Sequence, residues 1–232
     1  MLKARLAIAI LAGLISACAP QIREQVPPEK AAPPAFPEAY YREAAAQGKT
    51  VFRVEPAQSL IVIEVRRGGS LARLGHDHVV ASHDTEGYAA PDEGRADLYV
   101  RLERLVVDEP ALRAEAGFDT QPSESDIAGT RRNMLKVLDA EQFPIAFIRV
   151  RGVETGRKDV TLPVAITLHG ITRTLQAPAQ VETEADRMSV TGRLAFNQTD
   201  FGIVPFSILN GALQVQDRVD LRFRIHARRM ER

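Results

Sequence analysis

The chain has no tryptophan, a single cysteine and no net charge. One cysteine excludes an intrachain disulfide. With 30 basic residues against 30 acidic ones, there is no excess to drive binding to a nucleic-acid duplex, which calls for clustered basic charge. No apolar run reaches the ~20 residues that a membrane-crossing helix needs. A glycine-rich phosphate loop, a nucleophile elbow and paired Cys-x-x-Cys motifs are all missing. The stretch "TDFGI", Thr199 to Ile203, has the letters of the kinase metal-binding triplet but none of its companion loops. It reads instead as a turn through Asp200 and Gly202, with Phe201 tucked into the end of the fold. No enzyme class is indicated. Alternating strand-helix-strand units are absent too, which argues against a parallel sheet.

The N-terminus reads "MLKARLAIAILAGLISACAP". Lys3 and Arg5 precede the apolar run Leu6 to Ile15, and small residues follow. Residues 1–17 therefore read as a signal peptide. "Ile15-Ser16-Ala17-Cys18" resembles the bacterial lipobox, in which the cysteine is lipidated and becomes the mature N-terminus. An ordinary signal peptide with an incidental cysteine is the plainer alternative. Ala19, where an aspartate would resemble an inner-membrane retention signal, favours the periplasmic face of the outer membrane. A lone thiol otherwise has little place in an oxidising compartment. Residues 18–49 are expected to hold the lipidated Cys18 and a proline-rich tether, with a short helix over Glu38 to Lys49 stopped at Gly48. The membrane would then be a partner through this anchor alone. A domain is expected over residues 50–229.

Within it strand signals dominate. "SLIVIEVRR" is rich in β-branched residues, and Ala96, Leu98, Val100 and Leu102 alternate until the phase slips near Leu105, where a bulge or bend is expected. In "DRVDLRFRIHARR", Val219, Leu221, Phe223 and Ile225 point one way while Asp220, Arg222, Arg224 and His226 point the other. That is a half-buried antiparallel strand. One segment differs: Ile127, Met134, Leu135 and Leu138 share a helical face, Ser123 or Ser125 can cap it, and Pro144 bars its continuation. The helix is expected over residues 123–140. Such strands either stack as a sandwich or close into a barrel, and periodicity does not choose between them.

Three segments together resemble the YceI-like family: "FRVEPAQSLIVIEVRRGGSLARLGHDH", "VLDAEQFPIAFIRV", and "LPVAITLHGITRTLQAPA" followed by "LAFNQTDFGI". The resemblance spans Val51 to Ala227. It implies an all-β fold, a closed antiparallel lipocalin-like barrel of about eight strands with the helix closing one side. It also implies a hydrophobic tunnel for an isoprenoid, fatty-acyl or other amphiphilic tail, and no established catalysis. This chain has Gln198 where the resemblance leads one to expect arginine, and "GHDH" where it leads one to expect an aromatic and mixed residues. The tunnel-facing candidates are Ile61, Ile63, Leu98, Val100, Phe147, Val164, Ile166, Phe196, Phe201, Phe206, Leu221 and Phe223. Plain core packing would give the same periodicity.

His76 and His78 stand two residues apart, so on a strand both rings reach the same side. Imidazole suits zinc or copper, which would want a third or fourth ligand. His83 and Asp77 face away in a regular strand, leaving Asp84, His169 or His226 to complete a site. Three readings stay open: a polar strand end at the barrel mouth, a metal site, and contact with a ligand head group. His169, before Gly170, is expected to tie a hairpin together with Thr172. A homodimer is also left open.

Overall fold

The computed structural model describes residues 36–152 and 158–231. The expected leader, Cys18 and the tether before Phe36 lie outside the described residues. The strands are β1 (Phe52–Val54), β2 (Leu60–Gly68), β3 (His78–Ser82), β4 (Glu86–Ala90), β5 (Arg95–Arg101), β6 (Val106–Val107), β7 (Ile145–Arg151), β8 (Asp159–Leu168), β9 (Ile171–Thr183), β10 (Arg187–Asn197), β11 (Ser207–Ile208) and β12 (Leu213–Arg229). Neighbours run in the order β1-β4-β5-β7-β8-β9-β10-β12, and β12 pairs back to β1, with Val54 opposite Ala227. The sheet is therefore a closed antiparallel barrel, not a sandwich.

The short strands are broken halves of long ones. β1 and β2 both lie along β12, separated by a 3-10 turn at Pro56–Gln58. Ser59 Oγ mends the gap by accepting from the His226 N–H at 3.0 Å. β5 and β6 are split by a 3-10 turn at Leu102–Arg104, which is the physical form of the slip expected near Leu105. It lets both Leu102 and Leu105 point into the core. Counted this way the ring has eight strands. β12 is the keystone, since it pairs with β10 along one edge and with β1 and β2 along the other. The β9–β10 ladder covers only Met188 to Gly192 and stops beside Pro178, which has no N–H to donate.

Among the described residues, three α-helices cover the barrel. α1 (Glu38–Ala46) buries Tyr41, Ala44 and Ala45 against Tyr88 and Tyr99 on the outside of β4 and β5. Among the described residues, Phe36 and α1 pack on the barrel although they precede the boundary expected near Thr50. α2 (Pro110–Glu115) sets Leu112 on Val62 and Val79. α3 (Glu124–Val137) starts at Ser123, whose hydroxyl accepts from the Asp126 N–H while the Asp126 carboxylate accepts from the Ser123 N–H. It ends before Pro144, because Asp139 turns left-handed at φ 47°. Its Ile127, Met134, Leu135 and Leu138 face the barrel mouth, against Leu102 and Leu105.

Candidate functional site: a two-chambered barrel interior

Alternation sends one side chain in two toward the barrel axis, and these side chains do not fill it. A chamber of about 540 Å³ lies under α3, within the range of small-molecule pockets. A second, of about 110 Å³, lies deeper. Ile61, Ile148, Ile166 and Leu221 border both, so the two chambers adjoin across a waist of these side chains.

Most of the predicted tunnel residues meet here. Ile63, Val100, Phe196 and Phe206 line the upper chamber. Leu98, Val164 and Phe223 line the lower one. Phe201 is fully buried against Phe196, with ring centroids 5.1 Å apart, and lines neither. Phe147 faces outward, opposite Tyr99, into the cluster around α1. The reason is that the first half of β7 is apolar on both faces: Ala146 and Ile148 point in, while Ile145 and Phe147 pack under the helix. Sequence reasoning missed Val65, Ile148 and Met134, all of which line the space. Continuing the β2 alternation by one step finds Val65, and the predicted helical face contains Met134.

The chamber mouth is polar. Arg66, Arg67, Asp126, Asn133, Gln198 and Gln214 border it, together with His76 and His78. The two rings lie 6.2 Å apart. Behind His78 stands Asp108, held at a left-handed φ of 58° just past β6. Its Oδ2 lies 2.6 Å from His78 Nδ1, and its Oδ1 accepts from the Val79 N–H and from Arg113 at 2.6 Å. His76 Nδ1 is buried and has no hydrogen-bond partner.

The other candidate metal ligands are scattered. His83 bonds Glu109 at 2.8 Å on the surface, Asp84 lies 3.9 Å from Arg104, and Asp77 accepts from the Arg67 N–H. His169 Nδ1 sits 3.2 Å from the Phe201 carbonyl, and His226 lies within β12. Among the described residues no group of three or more His, Cys, Asp or Glu side chains could hold a metal ion. The hairpin at His169 and Gly170 has positive φ at both residues, as a two-residue turn requires. It is tied by Thr167 and Thr172, whose hydroxyls are 2.7 Å apart, while His169 reaches across to the "TDFGI" turn.

Two buried carboxylates contribute to the pH response. Burial raises Asp97, but hydrogen bonds from Tyr41, Arg95 and Arg149 outweigh it and hold the group below the usual carboxylate range. Burial likewise raises Asp108, and the bonds from His78, Arg113 and the Val79 N–H reverse that. A depressed carboxylate contributes stability above its unfolded pKa of about 3.9, and that stability is lost as pH falls through the folded value. Urea midpoints followed by circular dichroism are therefore expected to fall steeply below about pH 4. Asp97→Asn should flatten that slope. An unchanged slope would contradict the ionised assignment.

The family described as YceI-like domain matches residues 52–227. Among solved structures, a polyisoprenoid binding domain from Saccharophagus degradans is similar at 14% identity. The alignment covers 77% of this chain and 98% of that one, with a TM-score of 0.56. BcnA from Burkholderia cenocepacia is similar at 13% identity, covering 75% and 98%, with a TM-score of 0.48. No curated protein matches the sequence.

Proposed function

Because this chain belongs to the YceI-like domain family, we propose that it is a lipid-binding protein that holds an isoprenoid or similar amphiphilic tail inside its barrel. The observation that carries this reading is the unfilled apolar space of the upper chamber, with the lower one adjoining it across the Ile148 waist. Burying a methylene there is worth about 0.8 kcal/mol, so a ten-carbon tail gains about 8 kcal/mol before the costs of association. A tail can thus be held without a strong polar contact. The similar Saccharophagus degradans domain, described as polyisoprenoid binding, supports the same ligand class.

The role is sequestration or transport at the bacterial envelope, on the periplasmic face of the outer membrane, with an acyl anchor on Cys18. Support comes from the charge, length and small residues of positions 1–18. The test is expression with the native leader in a Gram-negative host, purification of the protein, solvent extraction and mass spectrometry. A long-chain lipid is expected near one per barrel, and Cys18→Ser is expected to move the protein from the membrane to the soluble fraction. A barrel that comes out empty and takes up no long-chain isoprenoid when offered it would overturn the binding reading. Unchanged membrane attachment of the Cys18→Ser variant would overturn the anchor.

A further inference from the structure

We infer that His76 and His78 form a head-group subsite for a hydroxyl, so that the ligand is a long-chain alcohol and not a phosphorylated lipid. The inference rests on the binding function proposed above and specifies its polar end.

The argument starts from which ring atoms are already in use. The Asp108 carboxylate accepts hydrogen bonds from the Val79 N–H and from Arg113. Its other oxygen, 2.6 Å from His78 Nδ1, therefore accepts a hydrogen bond from the N–H of that nitrogen. In the neutral ring the opposite nitrogen, Nε2, is left with a lone pair. His78 borders the chamber, so this acceptor is available to a ligand. A carbonyl, ether or phosphate oxygen has no proton to offer it, whereas a hydroxyl does.

His76 supplies the other half. It borders the same chamber, and its Nδ1 is buried without a partner. An unsatisfied buried polar atom costs about 1–3 kcal/mol, which turning the ring to bring that nitrogen onto a ligand atom would recover. A hydroxyl donates one bond and accepts others, so one oxygen can serve both rings.

The neighbouring charges point the same way. Arg66 and Arg67 line the mouth but are engaged within the protein. Arg66 pairs with Glu64 at 2.9 Å and lies over the Phe118 ring. Arg67 binds Asp119 at 3.0 Å and the Gly75 carbonyl at 2.9 Å, and lies 3.7 Å from Asp77. Asp126 adds a negative charge to the same rim. A diphosphate would have to displace these partners, while a hydroxyl leaves them in place.

The experiment compares geranylgeraniol, its methyl ether and geranylgeranyl diphosphate by titration calorimetry on the delipidated full chain, delivered from cyclodextrin. The alcohol is expected to bind about tenfold tighter than the ether, and the diphosphate no tighter than the alcohol. In the His76→Phe/His78→Phe double variant the alcohol and the ether should bind alike. Equal binding of all three ligands to the wild type, or preference for the diphosphate, would overturn the subsite while leaving the barrel reading intact. Binding of none would overturn the barrel reading itself. The wild-type comparison decides the matter even if the double variant fails to fold.

Discussion

Replacing Asp97 by alanine is expected to cost about 3–5 kcal/mol, the usual penalty for removing one partner of a buried ion pair. Asp97 points out of β5 into the space beneath α1, where its side chain is 5% exposed. It accepts from the Tyr41 hydroxyl at 2.7 Å, from Arg95 at 2.6 Å and from Arg149 at 3.0 Å. Without it the hydroxyl of the fully buried Tyr41 loses its bond, and Arg95, stacked over Tyr40 at 4.2 Å, loses its countercharge. At two to four degrees per kcal/mol for a chain of this size, the melting temperature should drop by about 10 °C. Asp97→Asn keeps a hydrogen-bond acceptor and should lose less. A thermal melt in which the alanine variant loses under about 1 kcal/mol would mean that this carboxylate does not hold α1 on the wall.

The second large effect is on binding. Ile63 faces the upper chamber from β2, and Leu221 of β12 stands beside it in register. Tryptophan in its place would extend into open space. Excluding about four methylenes of ligand removes about 3 kcal/mol, or roughly a hundredfold in affinity. The variant should come from the same expression host with its lipid content cut by mass spectrometry, yet with nearly unchanged melting temperature. A variant that retains full lipid occupancy would place the tail outside this chamber.

Strands such as β12 were legible in the sequence because water on one side and lipid-like packing on the other impose strict alternation. The first half of β7 was not, because the α1 cluster covers Ile145 and Phe147 on its outer face and leaves both sides apolar there. Phe147 was therefore assigned to the wrong surface. The Ser123 cap was readable as a local signal, being set by residues three apart. The partnership of His78 with Asp108 was not, since it spans 30 positions and depends on barrel register and a left-handed backbone turn. Barrel closure had the same character. It rests on β1 meeting the far end of β12, a long-range pairing that periodicity does not encode.

That pairing fixes when the molecule can become whole. Residues 213–229 form the strand that joins both edges of the ring, so until they are in place everything before them is an open, curling sheet with its greasy side uncovered. Non-local pairings of this kind form late and slowly. Until the final strand docks, the partly folded chain presents sticky edges, and any factor that escorts it must shield them up to that moment.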